Sequence, residues 1–367
     1  MPKLNETVLE IDLSALEHNY KFLRSKLNPS TKFMGIVKAS GYGSDPLIIA
    51  KKLVSLNVDA LAVAYVSEGI QLRQGGIQVP ILVLHPQAAN LKPLMEHCLE
   101  PSIYSPRILK AFYEAALKAR QKEYPIHLKF NTGLNRLGFW ENDVEHIAKE
   151  LKGSNALRIK GIFSHLAASE DAAERAFTQQ QIEGFEKIVK DAEAAFGPIP
   201  LKHLLNTSGI LNYPEAQWDM VRSGIGLYGY GNDPAFDPLL KPVVSLKTII
   251  SQLHKIEPNE SVGYNRAYRS QEYKTTATLP LGHADGIGRQ YGNGRASVII
   301  HGRKAPIIGN VCMDMLMVDV TGIECREGDE VTIFGKEQSA EVFAANANTI
   351  SYELITGISP RVKRVYK

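Results

Sequence analysis

The sequence predicts an α/β protein: an N-terminal (β/α)8 TIM barrel followed by a C-terminal, mostly-β domain. Three observations predict it. From Phe33 to about Val221, eight short apolar runs alternate with amphipathic helical patterns. Several of those runs end in a cationic or hydrogen-bonding residue, as the catalytic rim of a barrel requires. After Gly231 strand-like runs with turn punctuation take over and helical periodicity becomes scarce.

The elements follow in order. Thr7–Leu13 reads as an extra strand outside the barrel count, and Ser14 to about Leu27 as the helix before the first barrel strand. The barrel strands are expected at Phe33–Val37, Leu61–Ala64, Ile81–Leu84, Pro101–Tyr104, Ile126–Phe130, Ile159–Ser164, Leu201–Leu205 and Met220–Val221. Asp45-Pro46 opens a helix running to Leu56. Ser105-Pro106 opens another to Arg120, with serine as cap and proline in the first turn. Thr178–Phe196 has helical apolar spacing, and Gly197 stops it. Asn232–Pro242 carries three prolines and reads as a linker. Beyond it lie strand signals at Val243–Ile250, Thr275–Leu279, Ser297–Ile300, Leu316–Val320 and Val331–Phe334, and a helix at Ala340–Ala347. The expected domains are 1–235 and 236–367, with residues 1–12 forming a strand that joins the second.

Composition narrows the function classes. The chain has 367 residues, 44% apolar and 22% charged, with a net charge of +3 and no block of like charge. That argues against a nucleic-acid partner or a membrane surface. Cys98, Cys312 and Cys325 are widely spaced, which disfavours a disulfide framework or a metal site and suits a reducing cytoplasm. No secretory signal and no bilayer-spanning run is apparent, so a cytoplasmic protein is expected.

Candidate chemistry gathers at the strand ends. Lys38 follows the first strand, Lys129 ends the fifth with Arg136 beyond it, and His165 ends the sixth. Asn206 and Thr207 follow the seventh, and Arg222 ends the eighth. A lone lysine closing a strand is usually a solvated end; residues of this kind on several ends of one rim are more informative. Gly41 and Gly43 flank Tyr42 and suit either close backbone approach to a ligand or a flexible loop. Gly224–Gly229 satisfies GxGxxG, but a proline-rich linker follows instead of a helix, and Leu239–Leu253 contains no acidic residue. Exposed amides for a phosphate after the last barrel strand are the better reading. GxSxG, HExxH and Walker motifs are absent. His203 and His254 read as structural histidines rather than metal ligands.

At this point the residues resemble a family. Val37-Lys38-Ala39-Ser40-Gly41-Tyr42-Gly43 resembles the pyridoxal-phosphate attachment motif of alanine racemases, usually VKANAYGHG. Lys129–Gly138 is similar to the family's K-x-D-T-G-M-x-R-L-G, Ser164-His165-Leu166-Ala167 to S-H-L-A, and Asn206-Thr207-Ser208 to N-S-A. Arg222–Gly229 matches R-x-G-I-x-x-Y-G. Val262-Gly263-Tyr264, Ala284-Asp285-Gly286, Cys312-Met313-Asp314 and Ile350-Ser351-Tyr352-Glu353 follow in family order. Any one segment is weak; the ordered set is specific.

The resemblance implies roles. Lys38 is the Schiff-base lysine of pyridoxal 5'-phosphate and a base on one face of the substrate α-carbon, and Tyr264 is the base on the other. Arg222 bonds the pyridine nitrogen, with His165 and His203 in the supporting network. Tyr42, Asn206, Thr207, Gly224, Ile225 and Tyr352 bind the cofactor, chiefly at its phosphate. Arg136 and the Met313 backbone hold the substrate carboxylate, Asp314 supports them, and Lys129 matches a position often carbamylated. The resemblance also implies a homodimer with shared active sites, L- and D-alanine as substrates, and a supply of D-alanine for peptidoglycan.

Two bases that exchange roles explain the pairing of lysine with tyrosine. Both have a free pKa of about 10, so burial and neighbouring positive charge must lower the lysine. The chain departs from the family pattern at Gly263 (often serine), Asn265-Arg266-Ala267, His283 (tyrosine in GYADG), Asn131 (aspartate) and Thr207 (serine). A racemase for serine or another small amino acid is the nearest alternative. A decarboxylase would place an acidic residue where Arg222 stands, and a non-catalytic cofactor carrier would lack the second domain.

Overall fold

The computed structural model describes residues 6–367 and divides into two compact units. One comprises Leu16–Gly41 and Pro46–Lys241. The other comprises the segment ending at Ala15, the short stretch Tyr42–Asp45, and Pro242–Lys367.

The first unit is a closed barrel of eight parallel strands, as the apolar runs predict. Val8–Ile11 (β1) precedes it in the chain and belongs to the other unit. The staves are Lys32–Ile36 (β2), Ala60–Val63 (β3), Ile81–Val83 (β4), Glu100–Ile103 (β5), Tyr124–Lys129 (β6), Leu157–Phe163 (β7), Leu201–His203 (β8) and Met220–Ser223 (β9). All are short, and both faces are covered: β3 and β4 are continuously apolar, and β3, β4 and β9 are buried throughout. Helices between them bury one stripe. In Pro106–Lys118, Ile108, Leu109, Phe112 and Ala116 face inward, and the Ser105 hydroxyl accepts the Ile108 N–H as cap. The long helix Arg175–Phe196 begins three residues before the predicted start and stops at Gly197, whose φ is 79°. The proline-rich segment contains a 3-10 turn, Asp237–Leu239, whose Asp237 carboxylate accepts the Gly231 N–H at 2.5 Å.

The second unit is built on a nine-stranded sheet. Its members are β1 with Val244–Ile249 (β10), Gln252–Ile256 (β11), Lys274–Leu279 (β14), Ser297–Ile300 (β15), Arg303–Ile308 (β16), Leu316–Asp319 (β17), Glu330–Phe334 (β18) and Lys363–Tyr366 (β19). Ser261–Val262 (β12) and Tyr268–Arg269 (β13) form a separate pair. β1 pairs antiparallel with β10 and parallel with β19. Residues 1–5 of the expected N-terminal strand lie outside the described residues. Five strands escape the sequence pattern, among them β12 and β13 of two residues each. β11 is largely exposed, β16 carries Pro306, and β19, at the sheet edge, opens on two adjacent basic residues, Lys363 and Arg364. Among the described residues no helix is long and apolar enough to cross a membrane, and no group of three or more metal-ligating side chains occurs.

Candidate active site

At the barrel's C-terminal rim the backbone after Lys38 is wound the wrong way. Ala39, Ser40, Gly41, Tyr42 and Gly43 all have positive φ, from 52° to 77°. Each left-handed non-glycine residue costs roughly 1–2 kcal/mol, and such strain persists only where surroundings over-determine it. The Glu68 carboxylate supplies part of that: Oε1 accepts the Ala39 N–H at 2.6 Å, and Oε2 accepts those of Ala64 and Tyr65. Gly43 closes the turn where a Cβ would fall 2.0 Å from the Ile355 carbonyl oxygen. A rigid left-handed turn therefore replaces the flexible loop that two glycines had also allowed.

Lys38 is half-buried, and burial together with the Arg136 charge lowers its pKa. Lys129, at the end of β6, falls to about 8 through burial and the charges of Arg136, Arg222 and Lys38. Its ammonium lies 5.8 Å from the Phe163 ring centroid. These four cations make the rim a site for an anion, and Glu68 is the carboxylate with a charge effect on Lys38.

Arg222, in β9, is the most constrained of them. It is buried, and its Nη1 donates to His203 Nδ1 (2.8 Å) and the His203 carbonyl (3.0 Å). Nη2 donates to the carbonyls of Ser164 (2.6 Å) and Leu204 (2.9 Å) and to His165 Nδ1 (3.2 Å). Nε makes no hydrogen bond among the described residues. Burial and the Arg222 charge hold both His165 and His203 well below the usual imidazole range, so both rings are neutral acceptors toward the guanidinium.

The following turn is a buried 3-10 helix, Ile225–Tyr228, with Gly224 at its N-cap and no side-chain cap. Thr207 Oγ1 accepts the Gly226 N–H at 3.2 Å and lies 2.9 Å from Ser223 Oγ. A Cβ at Gly226 would lie 2.5 Å from the Thr207 methyl. Asn206 caps the helix Thr207–Asn212: its side-chain Oδ1 accepts the Gly209 N–H at 2.9 Å and the Ser169 hydroxyl at 2.9 Å. Asn131 Oδ1 accepts the backbone N–H groups of Gly133 and Asn135 and so orders the loop bearing Arg136. Asn131 Nδ2 also donates to Asn135 Oδ1 at 2.8 Å, so asparagine supplies the acceptor that aspartate would and adds a donor that aspartate lacks.

In the second unit Tyr42 is buried, with its ring centroid 6.2 Å from that of Tyr352. Tyr264 is 73% exposed and Met313 is 59% exposed. The Tyr264 carbonyl accepts from Asn310 Nδ2 (3.2 Å), and the Met313 carbonyl accepts the Ala284 N–H (3.0 Å). Arg361 bridges Asp285 (2.6 Å) and Asp314 (2.6 Å) and so braces the Met313 loop. Gly263 adopts φ 77°, ψ −179°, a region essentially restricted to glycine, so serine would be strained at that departure.

Sequence reasoning missed Glu68, Gln181, His127 and Glu100. Gln181 accepts the Ala167 N–H and donates to the His165 carbonyl, so it fixes the loop after β7. Glu68 had a weak signal, a glutamate in the third position of a helix that follows a strand.

Comparison with known proteins covers both units. The family model described as alanine racemase, N-terminal domain, matches residues 11–232, and the one described as alanine racemase, C-terminal domain, matches residues 243–366. The alanine racemase of Methanococcus maripaludis is 36% identical over 368 residues, covering 97% of each chain. That of Clostridium novyi is 37% identical over 370 residues, covering 97% of this chain and 94% of its own. Among solved structures, alanine racemase of Clostridium difficile 630 matches with a TM-score of 0.92 at 32% identity, covering 99% of this chain and 96% of that one. The alanine racemase of Bartonella henselae with covalently bound pyridoxal phosphate gives 0.91 at 28% identity, covering 99% and 100%.

Proposed function

The chain belongs to the alanine racemase family, and from that premise we propose that it interconverts L- and D-alanine with pyridoxal 5'-phosphate, using Lys38 and Tyr264 as opposed bases. The observation that carries this reading is Arg222. Every N–H of its two terminal nitrogens is committed to protein acceptors, and Nε is left as a single undonated N–H in a buried guanidinium. A ring nitrogen that accepts but does not need a proton fits that donor. The cationic rim fits an anionic, phosphorylated cofactor, so the residues present suit the group.

Arg222 and Lys38 would hold it, one at the ring nitrogen and the other by a covalent bond. Thr207, Gly224, Ile225, Tyr42 and Tyr352 would take the phosphate. When bound, pyridoxal phosphate withdraws electrons from the substrate α-carbon and makes its proton removable. A guanidinium gives up protons with difficulty, so Arg222 keeps its own at Nε. Lys38, its pKa lowered by burial and the Arg136 charge, gives up its own proton more readily than a free lysine and so can act as a base. Tyr264 donates or accepts on the opposite face, and the two exchange duties with the hand of the substrate. Arg136 and the Met313 backbone would hold the carboxylate, with Asp314 bracing the latter through Arg361. Lys129, close to Arg136, would orient it as a carbamate.

The exposure of Tyr264 and Met313 supports a homodimer in which each tyrosine serves the partner's cofactor. Residues 1–235 would then carry the cofactor and 236–367 the second base, and the product D-alanine would feed peptidoglycan. Borohydride reduction of the cofactor-loaded protein, followed by peptide mass spectrometry, is expected to find pyridoxyl on Lys38. Turnover of L-alanine is expected to exceed that of L-serine and L-lysine, and a preference for either of those would overturn the alanine assignment.

A further inference from the structure

Beneath Arg222 a second polar line descends through the barrel. Arg222 Nη1 can only donate, so His203 Nδ1, at 2.8 Å, is unprotonated and the ring carries its proton on Nε2. That Nε2 lies 3.1 Å from His127 Nδ1, which must accept; His127 then carries its own proton on Nε2, 3.0 Å from Glu100 Oε2. The other Glu100 oxygen accepts from Lys160 Nζ at 2.5 Å. Each donor dictates the next, so the two imidazoles have one tautomer each.

The line is built into the strands. Glu100 opens β5, His127 lies within β6, Lys160 within β7, and His203 ends β8. The β6–β7 register shifts between Ile126 and His127, which pairs His127 with Gly161. A Cβ at Gly161 would lie 2.4 Å from His127 Nδ1, so the ring occupies space that only glycine leaves. His203 stacks on Phe163 with centroids 4.7 Å apart and planes 5° apart, which prevents it from turning. His203 is wholly buried, and His127, itself 1% exposed, joins the Glu100–Lys160 pair in lining an opening with Lys32 and Asp59. The Glu100–Lys160 ion pair is thus the line's open end, and the His203 ring its wholly buried one.

We infer that His127 and Glu100 are positioning residues for Arg222: they fix His203 in the tautomer that accepts from Nη1, so the guanidinium is held with Nε as its spare donor. The inference rests on the reading of Arg222 as the cofactor's partner. If the anchor were lost, His203 could move its proton to Nδ1. Two N–H groups would then face each other across 2.8 Å, and the guanidinium would turn away.

The test uses full-length His127→Phe and Glu100→Gln, with Glu100→Asp as the conservative rescue. Histidine-selective 15N spectra of the cofactor-free protein should show His203 wholly as the Nε2–H tautomer in the wild type and as a mixture in both variants. Kd for pyridoxal phosphate should rise and kcat fall on the order of tenfold, the scale for removing a hydrogen-bonded partner behind a binding side chain. KM for alanine should change less than kcat, and Glu100→Asp should restore the wild-type spectrum. Unchanged His203 signals and unchanged Kd in either folded variant would overturn the inference. Arg222→Lys separates the two ideas. If it weakens cofactor binding while His127→Phe and Glu100→Gln do not, the relay alone fails; if it too leaves Kd unchanged, the reading of Arg222 fails first.

Discussion

Glu68 Oε1 accepts the backbone N–H of Ala39 at 2.6 Å, which ties the residue after Lys38 to the start of the neighbouring helix. Ala39 stands at φ 52°, the first of five left-handed residues, and a charged acceptor is what makes that first step tolerable. The direction in which Lys38 leaves the barrel is thus set by a side chain 29 residues beyond Ala39.

Glu68→Gln should expose this. One carboxylate serves three N–H groups, and an amide offers one oxygen and two further donors. The expected loss is about 1–3 kcal/mol of stability, read from urea midpoints, together with weaker pyridoxal phosphate binding. Cofactor binding unchanged in a destabilised variant would confine Glu68 to the fold.

Two glycines separate conformational cost from steric cost. Gly153→Ala, at φ 78° with nothing near its Cβ, should lose about 1–2 kcal/mol. Gly43→Ala, at φ 77° with the Ile355 carbonyl 2.0 Å from the new methyl, should lose clearly more. Equal losses would mean that the turn shifts freely.

Arg222→Lys keeps the charge but loses the planar fork that binds Ser164, His165, His203 and Leu204. A drop in kcat/KM of about 10²–10³ is expected for removal of a positioned donor, with a raised cofactor Kd. Wild-type kinetics would contradict the site assignment.

Lys129 has its pKa pulled to about 8, below the free value of about 10.4. Over that interval the unfolded chain binds more protons, so stability of the cofactor-free protein in carbon-dioxide-free buffer should rise as pH goes from about 8 to about 10. Below pH 8 the cost of the buried cation is fully present. Lys129→Met should flatten the slope; Lys38, lowered in the same direction, would retain part of it. In bicarbonate at pH 8, intact mass should gain one carbon dioxide, and the Met variant should not.

Much of the barrel was legible because a strand covered on both faces is largely apolar: β3 and β4 leave no ambiguity, whereas β9 showed only the two-residue signal Met220–Val221 before Arg222 and Ser223. Strand ends were legible too: Lys38, Lys129, His165 and Arg222 were found by position before any contact was known. The left-handed turn was not, since Ala39, Ser40 and Tyr42 are not residues that announce positive φ. Nor was the line from His203 to Glu100. It depends on a register shift at His127 and on an absent side chain at Gly161, and neither leaves a pattern in one sequence. β11 and β19 were hidden because exposed or edge strands carry polar residues on faces that a buried strand keeps apolar.

The most direct test follows α-proton exchange and inversion together, with L- or D-alanine in deuterium oxide and chiral chromatography coupled to mass spectrometry. Two-base racemisation predicts that the wild type inverts both enantiomers and places deuterium at the α-carbon of the product. Lys38→Ala and Tyr264→Phe should each abolish inversion in both directions, and exchange without inversion should survive only on the face whose base remains. A wild-type protein that fails to invert alanine, or a Tyr264→Phe variant that inverts both enantiomers at the wild-type rate, would contradict the assignment of Lys38 and Tyr264 as the opposed bases.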